Sequence, residues 1–387
     1  MTTTTEREVV LGPTGSPAER FTSRNPDDFA VPRGREEEWR FTPTRNLGVA
    51  FAPFVPDNTM THEQDLPEGV TVSLVDRDHP LFGAVLTPAD RASALAMAQV
   101  RKALLVSIPG EAALDRPVVL RVTGEPGNNY GHIIVDVGRF ATATVVLEHA
   151  GTATVLANVE VCVGDGAALN VVSVQSWDAG AIHLAAHAAR VGRDASYRHS
   201  SVNLGGGIVR LVPTVSYAGP GGSAELLGIG FAGDDQHFES RLFVDHDQPN
   251  CRSRVLYKNA LLGESARTVW IGDVRIRPDA VGTDTYEMNR NLLLSDGARA
   301  DSVPNLEIET GNIVGAGHAS ATGRFDDLQL FYLQSRGIPE ETARRLVVRG
   351  FFADVVNRIG LPELEQQIMT AIETRLGYAA ETDSESA

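Results

Sequence analysis

Between about residues 115 and 320, short runs rich in Val, Ile, Leu and Thr follow one another with no helical pattern between them. Apolar and polar residues alternate within each run, which is typical of β-strands, and turn residues recur about every 10 to 14 positions. Roughly a dozen or more strands are therefore predicted, whereas a β-sandwich usually contains about seven to nine. So many similar strands favour a solenoid of the parallel β-helix type, in which each rung buries its inward residues against the next. A large sandwich or a twisted barrel is the alternative at this point.

The regions on either side of this strand-rich part have a different residue pattern. Residues 90–105 place Ala and Leu at i, i+3 and i+4 spacings, which predicts a helix, and residues 35–40 predict a short helical piece around a buried Trp39. Both chain ends are polar, which indicates mobile tails. The expected organisation is a mobile tail over 1–30, a mixed or helical region over 31–110, a β-helix core over 111–323, a helical domain over 324–378 and a disordered tail over 379–387.

Helices return after the strands. The stretch that begins at Asp326 predicts a short helix, and Pro339 with Glu340 and Glu341 is typical of the first turn of a longer one. Another helix is expected after Pro362. The longer helix carries one apolar stripe, which either packs on the β region or serves as a docking surface. The stripe consists of Ala343, Leu346, Val347, Phe351, Val355 and Ile359.

The charge of the chain excludes some functions. Its 387 residues carry a formal net charge of −16, with a sequence pI near 5.1. A nucleic-acid surface needs clustered Lys and Arg, so this acidic balance argues against nucleic-acid binding. The N-terminal sequence lacks the pattern of a signal peptide, and no run of about 18 apolar residues occurs. We therefore expect a cytoplasmic protein without membrane insertion.

The two cysteines do not form a recognisable motif. A secreted disulfide scaffold would contain more of them, and no Cys/His spacing typical of a zinc site is present. Cys162 lies in an apolar strand-like run and is expected to be a buried free thiol. Cys251 lies in a turn-like segment and is expected to be more exposed.

Motifs for nucleophilic catalysis and for ATP hydrolysis are missing: neither GxSxG nor GxxxxGK[ST] occurs. His183 and His187 are four residues apart and would share a face of a helix or a strand, but no third metal ligand accompanies them. Ordinary surface or rung histidines are the favoured interpretation. Flanked by Asp245 and Asp247, His246 is expected to be a turn histidine hydrogen-bonded to a carboxylate. Four more histidines lie in strand-like runs and need no functional role: His132, His149, His199 and His237.

His318 is the histidine with the most unusual surroundings. Its neighbours are Gly315, Ala316, Gly317 and Ala319, and such small residues leave an imidazole approachable by a metal or by another chain. The segment 243–323 around it is therefore the place to look for function. A β-helix enzyme acting on a polysaccharide is an alternative, but it needs aromatic sugar platforms, and aromatic residues make up only 6% of the chain.

Several blocks in the same order resemble the SufB/SufD family of the SUF iron–sulfur assembly machinery, strongly over about residues 240–357 and loosely elsewhere. His246 and Pro249 lead into the first block, and EEEWRFTPT near the start fits the N-terminal region of the family. The blocks are SRVLYKNALLG, WIGDVRIRPDAVGTDTYEMNRNLLLS, PNLEIE, GHASATGRFDDLQLFYLQSRGI and RRLVVRGFF. Within the family, the chain is more similar to SufD than to SufB.

The resemblance implies a right-handed parallel β-helix between helical ends, in a complex with SufB and the ATPase SufC. It maps His318 onto a histidine thought to help build the nascent cluster at the SufB–SufD interface, with His246 as a secondary candidate. Ala316 stands where SufD proteins often have a cysteine. The region 331–359 maps onto the part that docks SufC. The candidate docking residues are Phe331, Tyr332, Arg336, Arg344, Arg345, Phe351 and Phe352.

The chemistry of the ligands agrees with this implication. One neutral imidazole supplies one metal ligand, whereas an Fe–S cluster usually needs four Cys, or Cys with His. The other ligands must come from a partner chain, so we expect a non-catalytic scaffold that binds no cofactor stably by itself and holds the nascent cluster only transiently in the complex. A structural homodimer of the isolated chain is the remaining alternative.

Overall fold

The computed structural model describes residues 19–325 and 327–377. The dominant feature of this part is a β-solenoid made of eighteen strands in two nine-stranded sheets. The strands are β1 (Met60–Asp65), β2 (Thr71–Asp76), β3 (Lys102–Ile108), β4 (Val118–Gly124), β5 (Asn128–Val137), β6 (Thr142–Gly151), β7 (Thr154–Val163), β8 (Ala168–Trp177), β9 (Ile182–Val191), β10 (Ser196–Asn203), β11 (Ile208–Tyr217), β12 (Ser223–Ala232), β13 (His237–His246), β14 (Arg252–Leu261), β15 (Arg267–Ile276), β16 (Asp284–Leu293), β17 (Arg299–Ile308) and β18 (Gly315–Arg324).

Successive strands alternate between the two sheets, as the sequence predicted for a parallel β-helix. Sheet A has the order β1-β4-β6-β8-β10-β12-β14-β16-β18, and sheet B has the order β17-β15-β13-β11-β9-β7-β5-β3-β2. All pairs are parallel except β1 with β4 and β2 with β3, which are antiparallel at the N-terminal edges. The sheets face each other across an interior that we call the lumen.

Inward side chains stack in columns because the parallel strands pair in register. On sheet A, Val145 on β6, Val171 on β8, Leu226 on β12 and Val255 on β14 belong to one column and to one buried apolar cluster. Glycines allow the tight turns between rungs. At Gly151, φ is 82° and a Cβ atom would lie 2.1 Å from the Gly124 carbonyl oxygen, so no other residue fits there.

The N-terminal region covers the outer face of sheet B. Its helix α1 (Arg91–Gln99) begins at Asp90, whose carboxylate accepts a hydrogen bond from the Ser93 amide. The buried Arg210 guanidinium lies over the Trp39 ring and donates to the Asp90 carboxylate at 2.7 Å. The predicted helix over residues 90–105 is therefore too long, because β3 begins at Lys102 and takes its residues into sheet B.

Around Trp39 the chain forms turns rather than the predicted helix, although the indole is buried as expected. Short 3-10 turns occupy Pro26–Asp28, Thr44–Asn46 and Gly48–Phe51. Burial of Trp39 against sheet B, not local helix propensity, decides the path of this segment. Of the predicted tails, residues 1–18 and 379–387 lie outside the described part.

Three helices follow the solenoid: α2 (Asp327–Ser335), α3 (Glu340–Val356) and α4 (Pro362–Arg375). Helix α3 packs on the outer face of sheet A, and Lys258 on β14 donates hydrogen bonds to the Phe351 carbonyl at 2.7 Å and to Asp354 at 2.6 Å. The predicted stripe is only partly right, because Leu346 is exposed whereas Val348 and Phe352 are buried. The helix is rotated so that the aromatic Phe352 fills the space against the sheet.

The environments of the two cysteines are the reverse of the prediction. Cys251 is buried at 1% exposure, and Cys162 is half-buried. Burial, reinforced by Asp136 and Glu160, raises the pKa of Cys162 to about 12. Both thiols are free, and neither lies next to His318 in the strand register.

Candidate functional site

His318 lies at the C-terminal end of the lumen. It belongs to β18, which is the last strand of sheet A, and it pairs in register with Glu287 on β16. In-register neighbours on parallel strands point to the same side of a sheet. Glu287 is buried, and Ala316, two residues before His318, packs against the interior cluster. His318 is therefore an inward-facing residue that is exposed because, in the part of the chain that the structure describes, no strand lies beyond β18.

Glu287 lies one rung beneath His318 and has an unusual environment. It is 1% exposed, and neither carboxyl oxygen has a hydrogen-bond partner within residues 19–325 and 327–377. Burial, with a smaller contribution from the charge of Asp273, raises the pKa of Glu287 to about 8. The carboxyl group is thus mostly neutral at pH 7. Its space is created by Gly272 on the opposite sheet, where a Cβ atom would lie 2.9 Å from Oε1 of Glu287.

The rim of this end is apolar and its strand edges are unpaired. Tyr286, Ile308 and Val314 are exposed, with Val314 the most exposed at 76%. In the part of the chain that the structure describes, β17 and β18 each have a neighbour on one side only. An unpaired strand edge beside exposed apolar side chains is a typical place for another chain to add on. The end of the lumen thus combines an accessible imidazole with a surface suited to a protein partner.

The ligand set at this end is incomplete for a metal cluster. His318 offers one imidazole, while Ala316 offers no donor at all. Among the described residues, no three His, Cys, Asp or Glu side chains are arranged to hold one metal ion.

His246, the secondary candidate, is enclosed in the fold. It is fully buried on β13, its Nε2 atom is 2.8 Å from the Ser253 hydroxyl, and its ring stacks on Tyr217 at a centroid distance of 5.1 Å. The hydroxyl of Ser253 in turn contacts that of Thr285 at 2.6 Å. The expected hydrogen bond to a neighbouring carboxylate is replaced by this hydroxyl chain, because the imidazole points into the lumen rather than into a turn.

The candidate docking residues of the helical region fall into two groups. Phe331 and Tyr332 on α2 are exposed at 68% and 57%, and Arg336 donates a hydrogen bond to the Tyr332 hydroxyl at 3.0 Å. Phe351 is half-buried, and Phe352 is fully buried against sheet A. The remaining two candidates are half-buried on α3: Arg344, which donates to Glu340 at 3.0 Å, and Arg345. The exposed group can meet a partner directly, whereas the phenylalanines of α3 attach the helix to the solenoid.

Sequence reasoning missed Glu287 as a member of this end of the lumen. The alternation in TYEMNRN placed Glu287, Asn289 and Asn291 on one face, but alternation alone does not say whether that face is the lumen or the solvent. It missed His149 and His199 as well, which were assigned no role and which the fold brings close to His183 and His187. Only the stacking of strands reveals such neighbours, because they lie on different rungs and sheets.

A groove along the outer face of sheet B gives no support to a carbohydrate enzyme. It has a volume of about 500 Å³, and Phe243 is its one aromatic lining residue. Asp245 there is already engaged, since it accepts two hydrogen bonds from Arg277 at 2.8 and 2.6 Å. Sugar-binding grooves need aromatic platforms, and this groove provides a single aromatic side chain.

The fold and site define a class: a β-solenoid protein with a helical cap and an incomplete ligand set at one end. Comparison with known proteins is consistent with it. Residues 120–351 match the family described as SUF system FeS cluster assembly, SufBD core domain. An iron–sulfur cluster assembly SufBD family protein of Mycobacterium tuberculosis is 49% identical over 385 residues, which is 97% of each chain. The chain belongs to the SufB/SufD family, and this membership supports a role in iron–sulfur cluster assembly.

More distant relatives carry the name of one branch. The iron–sulfur cluster assembly protein SufD of Bacillus subtilis is 27% identical over 294 residues, covering 73% of this chain and 66% of its own. SufD of Escherichia coli is 28% identical over 194 residues, covering 50% of this chain and 45% of its own. The predicted resemblance to the family, with SufD-like character, is confirmed. Within residues 19–325 and 327–377, none of the helices is both long and apolar enough to traverse a bilayer.

Proposed function

We propose that this chain is a non-catalytic scaffold subunit of a SUF assembly complex. It pairs with a SufB-type chain through the C-terminal end of its solenoid, and His318 contributes one ligand to the nascent cluster at that interface. The observation that carries the proposal is the position of His318 on the last inward-facing rung, exposed where a second solenoid would continue the lumen.

The surroundings of His318 support pairing with another chain. The backbone edges of β17 and β18 can accept strands from a partner, and exposed Ile308 and Val314 would be buried by it. A partner also has to supply the ligands that this end lacks, since Ala316 stands where a thiolate would be useful. The cluster is thus a shared and transient cargo rather than a resident cofactor of this chain.

The helical cap is the proposed docking surface for the ATPase SufC. Phe331, Tyr332 and Arg336 present exposed aromatic and cationic groups on α2, a composition typical of interaction hot spots. This chain has no phosphate-binding loop, so nucleotide hydrolysis has to occur in a partner. Lys258, Phe351 and Phe352 connect the cap to sheet A and would transmit a movement of the cap to the solenoid.

A reconstituted complex tests the role of His318. His318→Ala should abolish or strongly reduce cluster formation on the complex, measured by iron and sulfide content and by visible absorption, while complex assembly and thermal stability stay unchanged. The control is His79→Ala, which alters a half-buried histidine next to β2. Normal cluster formation by the His318→Ala complex would remove His318 from the proposed site.

A further inference from the structure

Five of the ten histidines lie on strands between β1 and β10, from the N-terminal edge of the solenoid to its middle, and far along the chain from His318. Four are buried and inward-facing: His149 on β6 and His199 on β10 belong to sheet A, and His183 and His187 on β9 belong to sheet B. The fifth is the exposed His62 on β1. The imidazoles of His149 and His183 have ring centroids 5.0 Å apart, and Nδ1 of His187 is 3.0 Å from Nε2 of His199.

Hydrogen bonds determine which nitrogen of His183 is free. Trp177 Nε1 can only donate, and it donates to Gln175 Oε1 at 2.7 Å, so the atom at that position is the amide oxygen. The same oxygen is 2.7 Å from Nδ1 of His183, which must therefore carry the proton. Nε2 of His183 is left as a lone pair that is buried and has no partner among the described residues.

The same reasoning applies to His149. Its Nδ1 atom is 3.2 Å from the Val174 carbonyl oxygen, which can only accept, and 3.3 Å from the Gln175 amide nitrogen, which can only donate. In the tautomer in which Nδ1 donates to the nearer carbonyl, Nε2 of His149 carries the lone pair that a metal ion would use.

The spacing of the two rings suits a shared metal ion. A metal–imidazole bond is about 2.0–2.1 Å, so two imidazoles bound side by side to one ion place their centroids about 4.5–5.3 Å apart. The observed 5.0 Å lies within this range. Gln175 already orients His183 by accepting a hydrogen bond from its Nδ1–H group, as the acceptors behind histidine ligands do in metal sites.

A cavity lies beside these imidazoles. It has a volume of about 190 Å³, and four buried histidines line it: His132, His149, His183 and His187. His62 and Lys102, both exposed, lie on its outer side, and the Lys102 ammonium is 3.5 Å from Asp76. The cavity exceeds the share of one water molecule in liquid, about 30 Å³, and therefore has room for a hydrated ion.

We propose that this cavity binds one first-row divalent transition-metal ion, with His149 and His183 as its two protein ligands. Imidazole is a preferred ligand of such ions, which include Fe²⁺, Co²⁺, Ni²⁺ and Zn²⁺. No three His, Cys, Asp or Glu side chains of the described part already converge on one point, so the remaining coordination positions belong to water. The ion is consequently exchangeable and can be reached from the His62 side. This site is separate from His318 and does not depend on the proposed scaffold role.

Cobalt(II) is a suitable probe because its visible absorption reports nitrogen ligation. The full chain, without a polyhistidine tag, should bind one Co²⁺ with new visible bands, and anomalous diffraction from a soaked crystal should place the ion between His149 and His183. His149→Phe and His183→Phe preserve ring volume and should each weaken Co²⁺ binding by at least about tenfold, because each removes one ligand.

Two controls separate this proposal from others. His79→Ala and His318→Ala should bind Co²⁺ in the cavity like the wild type, and loss of binding in either variant would contradict the proposal. If the phenylalanine variants fail to fold, the anomalous map of the wild-type crystal still decides. An anomalous peak at His318 or another surface histidine only, or no peak in the cavity, would overturn it whatever the outcome of the cluster assays.

Discussion

The two ends of the solenoid are built from the same ladder but terminate differently. At the N-terminal end, the antiparallel strands β1 and β2 complete the two sheets, and the inward imidazoles of the strands that follow, from β6 to β10, are buried. At the C-terminal end, β17 and β18 have no neighbour beyond them in the described structure, and His318 is exposed above an unpartnered Glu287. The inward imidazoles of the N-terminal half are enclosed by neighbouring strands, whereas the imidazole of His318 at the C-terminal end is exposed to solvent.

The difference shows that the solvent exposure of a side chain in a solenoid depends on the position of its rung as much as on its residue type. His199 and His318 belong to the same inward column of sheet A, since each step from β10 through β12, β14 and β16 to β18 is in register. His199 is 1% exposed, whereas His318 is exposed. A residue type that is structural in the middle of the column becomes available for binding at its end.

The largest contrast between the ends is expected in alkaline solution. The carboxyl group of Glu287 ionises near pH 4.3 when unfolded and only at about 8 when folded. The contribution of the neutral carboxyl to the free energy of unfolding is fully present below the unfolded pKa and is lost as the pH rises through the folded pKa of about 8. Relative to Glu287→Gln, the wild type should lose about 3 kcal/mol of unfolding free energy between pH 6 and pH 9, measured by urea denaturation.

Glu287→Gln is a suitable reference because it keeps the shape of the side chain and cannot ionise. Glu307→Gln, a change of a half-buried carboxyl on β17, provides a second comparison and should follow the wild-type curve. Parallel pH dependence of the wild type and Glu287→Gln would show that the Glu287 carboxyl is already ionised in the folded chain.

The enclosed middle of the same column should respond to acid instead. Burial lowers the pKa of His199 to about 4, below the unfolded value of about 6.5, so its contribution to stability is present above pH 6.5 and is lost as the pH falls through 4. Between pH 7 and pH 5, the wild type should lose about 2 kcal/mol more unfolding free energy than His199→Gln, measured by the same denaturation experiment.

His318→Gln tests whether this acid response is specific to the enclosed middle of the column. It changes an exposed histidine in the same column and should retain the acid sensitivity of the wild type. If His199→Gln and the wild type lose stability equally on acidification, the His187–His199 pair does not stay neutral in the folded chain.

The smallest expected effect concerns the apolar rim. Val314→Asp places a charge among side chains that pairing would bury, so affinity for a SufB-type chain should fall by at least about tenfold, measured by isothermal titration calorimetry. Val55→Asp is the matched control, because Val55 is also highly exposed but lies near the N-terminal region. Equal affinities of both variants would place the partner elsewhere on the solenoid.

Local patterns predicted part of the molecule well. Short alternating runs and regular turn residues indicated a parallel β-helix, and the helices after Asp326, at Pro339 and after Pro362 were expected near where they occur. The predicted helix over residues 90–105 was too long because the sheet took Lys102 and the residues after it. The helical piece at Trp39 was wrong because burial of the indole determines that segment. Propensity is a weak guide wherever tertiary contacts compete with it.

Sequence alone determined the solenoid class, the helical cap and the exposure of His318, because these follow from periodicity and from small neighbouring residues along one stretch of chain. It could not determine the position of Leu346, the burial of Cys251 or the isolation of Glu287. The gathering of His149, His183, His187 and His199 was likewise decided only by the tertiary structure. These features depend on which strands stack and which sheets face each other. The residues that meet in this way are far apart in the sequence, because they lie on different rungs.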